Sequence, residues 1–211
     1  MSHSDLVSYL VRTGALQTPR LIDAFSAIDR KNFVRPEYVD EAYGDYPLPI
    51  GKGQTISQPS TVAFMLELLQ PEQGDRVLDI GSGSGWTTAL LAHSIGERGE
   101  VLGLELDPEL AAWGKENLRR YAFPHARIEQ AGPLTVGAGP QLGRPGEKYD
   151  KILVSAAADS FPSELLSQLK EGGRIVLPVG HTLYKVEKRG EDDMNTESFP
   201  GFAFVPLRRK G

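Results

Sequence analysis

The residues best suited to chemistry lie between Asp79 and Glu105. Gly81, Gly83 and Gly85 alternate with Ser82 and Ser84, directly after the apolar run Val77-Leu78-Asp79-Ile80. Glycines let a backbone approach a ligand closely, and free amides at the start of a following helix attract negative groups. Asp79 precedes the loop, and Glu105 follows Gly85 by twenty residues. That is the distance at which a second strand delivers a carboxylate to ribose hydroxyls. A nucleotide site is expected. A dinucleotide fits poorly, because its Gly-x-Gly-x-x-Gly/Ala fingerprint needs a small residue where Trp86 stands.

A regular framework must hold these groups. Val77–Ile80 reads as a buried parallel strand and Trp86–Ala92 as the helix after it. Val101–Glu105 is a second strand, and Asp107-Pro108 caps a helix running to about Tyr121. Residues 126–131 form a third strand, Tyr149–Ser155 a fourth, and about 162–170 a helix. Arg174–Pro178 is a fifth strand, and the weak alternation from Leu183 to Val205 supplies two more, joined by Glu191-Asp192-Asp193. Upstream, Leu6, Val7, Leu10 and Val11 mark one amphipathic helix, and Leu21, Ile22, Phe25 and Ile28 a second. A helix from Pro59 buries Val62, Met65, Leu66 and Leu69. Between these helices, residues 43–59 are so rich in proline and glycine that no regular element is expected, yet Tyr43, Tyr46, Leu48 and Ile50 are too apolar for a free linker. A long ordered loop of this kind is usually functional.

The fold expected is α/β and Rossmann-like, a mostly parallel sheet of about seven strands with helices on both faces and its ligand at the carboxyl ends of the strands. One domain spans residues 1–211. Residues 1–58 form a helical extension and substrate-side loop, and 59–211 the nucleotide-binding core and C-terminal strands. Hydrophobic residues make up 40% of the chain and charged residues 24%, ordinary for a globular protein. The net charge of −5, with dispersed basic residues, argues against a nucleic-acid partner. No cysteine is present, which excludes disulfides, zinc thiolates and cysteine nucleophiles. No apolar run approaches the roughly 20 residues of a membrane span, so no membrane partner and a cytoplasmic location are expected.

The carboxylates of Asp79 and Glu105 around Gly81-Ser82-Gly83-Ser84-Gly85 resemble the S-adenosylmethionine site of class I methyltransferases. Further matches narrow the resemblance. They are Arg30-Lys31-Asn32-Phe33-Val34, Leu48-Pro49-Ile50-Gly51-Lys52-Gly53-Gln54-Thr55-Ile56-Ser57-Gln58-Pro59, Ser155-Ala156-Ala157-Ala158, Leu177-Pro178-Val179-Gly180 and Phe204-Val205-Pro206-Leu207. In this order, and covering nearly the whole chain, they resemble the protein-L-isoaspartate O-methyltransferase family. The resemblance implies S-adenosyl-L-methionine as cofactor and isoaspartyl-containing peptides and proteins as partners, methylated on the abnormal α-carboxylate. Decay of the ester through a succinimide returns part of the damage to aspartate. It implies Ser57 as the active-site serine that contacts this carboxylate. It assigns Asp79, Gly81, Ser82, Gly83, Gly85, Glu105, Leu106, Ala131 and Gly132 to the cofactor, with Glu105 on the ribose. Thr55, Ile56, Gln58, Pro178, Val179 and Val205 fall to the substrate. No metal is implied, and a monomer is expected.

The chain departs from the family at three places. Trp86 stands for the usual Tyr, Gln130-Ala131-Gly132 lacks the acidic residue of Gly-Asp-Gly, and Ser60-Thr61 replaces a bulkier Tyr-Met pair. These departures keep two alternatives open: a related methyltransferase with another acceptor, and a non-catalytic homologue that binds isoaspartyl protein or the cofactor. His3, His93, His125 and His181 are scattered without metal spacing. Trp113 reads as a core residue, Asp150 as structural, and Asp159 as a base only in principle.

Overall fold

The computed structural model describes residues 1–131, 147–191 and 193–207. Two N-terminal helices, α1 (His3–Arg12) and α2 (Pro19–Ala27), are followed by two 3-10 turns at Arg30–Phe33 and Pro36–Glu41. A hairpin of β1 (Leu48–Gly51) and β2 (Gln54–Ile56) comes next, then α3 (Pro59–Leu69). The core continues as β3 (Arg76–Ile80), α4 (Trp86–Ile95), β4 (Glu100–Glu105), α5 (Pro108–Arg119) and β5 (Ala126–Gln130). It ends in β6 (Tyr149–Val154), β7 (Leu169–Val179), β8 (Thr182–Lys188) and β9 (Met194–Pro200). None of the described helices is long and apolar enough to cross a membrane.

Seven strands pair in the order β5-β4-β3-β6-β7-β8-β9. The pairs from β5 to β7 are parallel, whereas β8 and β9 add antiparallel to β7. Strand residues alternate between two cores. Val77, Val101, Leu153 and Val176 join one cluster with residues of α1 to α5. Leu78, Ile80, Leu102, Leu104, Ile152 and Ile175 join another, which the 3-10 turn at Ser163–Gln168 covers through Leu165 and Leu166. Each leucine or isoleucine buried in this way contributes about 1.5–3 kcal/mol. Strand order reverses between β3 and β6, which opens a crevice at their carboxyl ends.

Two segments differ from the sequence reading. The proline- and glycine-rich stretch is not without regular structure: Leu48 pairs with Ile56 and Pro49 with Thr55. Both strands of an isolated ribbon are edge strands, where a proline such as Pro49 is tolerated, and Gly51 at φ +95° and Gly53 at φ +71° turn the chain between them. The helix expected at 162–170 is only the short 3-10 turn, and β7 already begins at Leu169. Gly172-Gly173 lies within that strand and not before it, at an irregularity of the β6–β7 register.

Candidate active site

The loop from Gly81 to Gly85 leaves β3 and enters α4, held by backbone and carboxylate together. The Gly81 and Ser82 amides donate to the Leu104 carbonyl at 2.8 and 3.1 Å. The Gly83 amide donates to Glu105 Oε2 at 2.9 Å, and the Asp107 amide to Oε1 at 3.0 Å. Each Glu105 oxygen keeps a second lone pair for a ligand hydroxyl. Asp79 is fully buried. Its Oδ2 accepts from the Thr87 and Thr88 hydroxyls at 2.8 and 2.6 Å, which fixes the first turn of α4. Asp79 Oδ1 has no partner among the described residues. Burial pushes the Asp79 carboxyl up to about 6, the threonine hydroxyls oppose the shift, and the charge of Glu105 adds to it.

Two glycines are required by close approach. At Gly83, φ is +52° and a Cβ would stand 3.1 Å from Ile50 Cδ1, so the β1–β2 hairpin lies against the loop. At Gly85, φ is +90° and a Cβ would meet Ile128 Cδ1 at 2.9 Å and the Gly114 carbonyl at 3.0 Å. Gly85 therefore does the packing that a dinucleotide site assigns to its third small residue, one position earlier than that fingerprint.

The hairpin is anchored on several sides. Lys52 Nζ lies 2.6 Å from Glu109 Oε1 of α5. Arg35 Nε donates to the Ile50 carbonyl at 2.9 Å, and its guanidinium lies 3.8 Å from the centroid of Trp113. Trp113 is half-buried beneath Arg35 and packs against the hydrophobic core. Asp45 accepts from the Ser60 amide at 2.8 Å and from the Gln58 side chain at 3.3 Å, steadying the chain where it enters α3. Arg30, wholly buried, donates to the carbonyls of Ala42, Gly44, Tyr46 and Ser57. Nothing local in the sequence announces this role, because its partners lie 12 to 27 residues away.

Hairpin and glycine loop flank a narrow, half-open cleft. Thr55, Ile56, Ser57 and Val62 form one wall, Gly81 to Ser84 another, and Trp86, Thr87 and Ser155 complete it. Ser155 reaches the cleft because its amide donates to the Ile80 carbonyl at 2.8 Å, continuing the β3–β6 pairing. A larger hollow of about 630 Å³ lies between α5 and β5, but no residue of the glycine loop or of the Ser57 segment lines it.

Glu105 and the remaining expected site residues are not among the residues that line this cleft. Asp79 and Gly85 lie beneath the loop, holding it, and are not among the lining residues. Leu106 and Ala131 follow the ends of β4 and β5, where the Ala131 amide donates to the Glu105 carbonyl at 2.7 Å. Gly132 lies outside the described residues. Gln58 turns its side chain to Asp45. Pro178, Val179 and Val205 meet the segment after β6 through backbone: Ala158 donates to the Pro178 carbonyl at 3.0 Å and Ala157 to the Val205 carbonyl at 2.9 Å. Ala158 also bridges Val179. Asp150 accepts from Lys170 at 2.8 Å and from the Arg76 amide at 2.8 Å, a structural tie. Asp159 is exposed.

Ser82 Oγ, Trp86 Nε1 and Asp79 Oδ1 are buried without a partner among the described residues, and Ser82 and Trp86 belong to the lining of the cleft. Seven mostly parallel strands in this order, with a glycine loop at the switch point and a carboxylate ending the next strand, define a Rossmann-like methyltransferase.

The particular family follows from comparison. The model of the protein-L-isoaspartate(D-aspartate) O-methyltransferase family matches residues 1–211, and the chain belongs to that family. Similar curated proteins include a protein-L-isoaspartate O-methyltransferase of Methanopyrus kandleri, 40% identical over 96% of this chain and 89% of its own. One from Pyrobaculum islandicum is 39% identical over 96% of this chain and 97% of its own. Among solved structures, a protein from Plasmodium falciparum in complex with S-adenosyl-L-homocysteine shares the fold, with a TM-score of 0.87 at 24% identity over the full length of both chains.

Proposed function

We propose that this chain uses S-adenosylmethionine to methylate the α-carboxylate of L-isoaspartyl residues in damaged proteins, the activity for which its family is named. The observation that carries this reading is the shared cleft: Ser57 on one wall faces the glycine loop on the other. When bound, S-adenosylmethionine supplies a methyl group on a positively charged sulfur. The backbone of Gly81, Ser82 and Gly83 would receive its methionine part and Glu105 its ribose hydroxyls, with Leu106 and Ala131 towards the adenine. Asp79 and Gly85 keep the loop in place.

A carboxylate with a pKa near 4 is already ionised at neutral pH, so the acceptor needs no general base. The work left to the protein is alignment, which contributes about 7–11 kcal/mol when reacting atoms are well placed. The Ser57 hydroxyl donates to the carboxylate and orients it without the strong hold of a lysine. Thr55, Ile56 and Gln58 flank it, and Pro178, Val179 and Val205 bound the peptide. Ile50, seated on Gly83, excludes water.

Labelled S-adenosylmethionine offered with an isoaspartyl peptide, and separately with its aspartyl twin, tests the reading. Methyl ester should form on the first peptide alone. Equal labelling of both, or none while the cofactor still binds, would exclude it.

A further inference from the structure

We propose that Arg30 is a positioning residue for the methyl acceptor: its guanidinium fixes the Ser57–Gln58 peptide so that the Ser57 hydroxyl and the Gln58 amide together receive the substrate carboxylate. The proposal rests on the reading of Ser57 given above. Arginine is rarely fully buried unless a carboxylate pairs with it. Arg30 is 0% exposed, yet its hydrogen bonds go to backbone carbonyls alone. Nη1 donates to Ala42 at 2.7 Å and Gly44 at 3.4 Å, and Nη2 to Tyr46 and Ser57 at 3.1 Å each. The nearby carboxylate, Asp45, has its oxygens turned to Ser60 and Gln58. Burial lowers the Arg30 pKa to about 10, and Asp45 and Tyr46 partly offset this, so the group stays charged at neutral pH.

This cation joins the two sides of the cleft. It gathers the acceptor segment from Ala42 to Ser57, and it sits 5.4 Å from the ring of Trp86, which opens α4 and lines the cleft. Every described peptide is trans, so the Ser57 carbonyl and the Gln58 amide point in opposite directions. With the carbonyl drawn to Arg30, the amide faces away from it, and it makes no hydrogen bond to the described residues. A charged donor on the carbonyl polarises the peptide and strengthens that amide in turn. A carboxylate beside Ser57 thus meets a hydroxyl and a sharpened N–H, with the positive charge one peptide removed. The anion is drawn in and oriented, and its attacking oxygen is not trapped in an ion pair.

The test is a double-mutant cycle of Arg30→Lys and Ser57→Ala, read as kcat and KM for an isoaspartyl peptide. S-adenosylhomocysteine affinity is measured by calorimetry on every variant. A single ammonium cannot span both pairs of carbonyls. Arg30→Lys should lower kcat about 10–100-fold while the cofactor product binds within about 3-fold of wild type. In the Ser57→Ala background, where only the Gln58 amide is left to be held, the same change should cost clearly less than in the wild type. Losses that multiply, or that follow a fall in cofactor affinity, would overturn the proposal. A Ser57→Ala enzyme as active as wild type would sink the Ser57 reading instead.

The unmodified protein provides the deciding arm if Arg30→Lys does not fold. With S-adenosylhomocysteine bound, the Arg30 guanidinium protons should shift in the NMR spectrum on adding the isoaspartyl peptide, and not its aspartyl twin. Resonances indifferent to both peptides would overturn the proposal.

Discussion

Ser57 and Asp79 illustrate how differently two polar residues near one loop can serve it. Replacing Ser57 by Ala removes a donor to a charged group, worth about 1.5–3 kcal/mol. The expected loss in kcat is roughly 10- to 150-fold, with the melting temperature unchanged, read in a methyl-ester assay. Asp79 works from below. Its folded-state pKa of about 6 exceeds the ordinary 3.8, so the folded protein holds this proton more tightly than the unfolded chain does. The resulting stability is fully present below the unfolded value and is lost as pH rises through about 6. Asp79→Asn removes the dependence, and between pH 4 and 7 the stability difference between wild type and variant should change by roughly 2 kcal/mol in the variant's favour. Urea titrations at several pH values check it. Carboxylates held low, such as Glu100 beside Arg127 and Arg76, tilt the overall curve the other way, so the difference between the two proteins is the readout. The carboxylates could be singled out from residue type and spacing, and Ser57 only through the family resemblance. Arg30 was not, because a guanidinium that binds carbonyls far along the chain leaves no spacing to read.

At the scale of elements, the glycine loop depends on α5 as much as on β3. Gly85→Ala would drive a methyl group into Ile128 and the Gly114 carbonyl while holding an L-residue at φ +90°. Together these should cost about 2–4 kcal/mol, measured by urea unfolding. The parallel strands were easily read, since apolar runs such as Val77–Ile80 are buried on both faces and bounded by glycine. The β1–β2 hairpin was harder. Its strands are four and three residues long, and prolines that break periodicity in a central strand are tolerated in an isolated ribbon. The 3-10 turn at Ser163–Gln168 has Leu165 and Leu166 side by side, which in sequence look like one face of a longer helix.

For the whole molecule, the cleft and its supports come from a single chain, with an N-terminal arginine, a hairpin and the strand ends all meeting at one switch point. Such a site needs no second copy, and light scattering should give a particle near 23.0 kDa. A dimer that falls apart only on loss of activity would contradict this. The sequence placed donor and acceptor segments on separate stretches, and only folding reveals that Ile50 rests on Gly83. The hairpin thus lends Thr55, Ile56 and Ser57 to the cleft while Ile50 rests on the glycine loop, and under the function proposed above that double duty has a kinetic consequence. A damaged peptide seated on the hairpin blocks the way in, so the donor must arrive first and its spent form must leave last. Steady-state inhibition by S-adenosylhomocysteine should be competitive towards S-adenosylmethionine at every peptide concentration, and mixed towards the peptide only while S-adenosylmethionine is sub-saturating. Random arrival would mean that the hairpin lifts independently of its load.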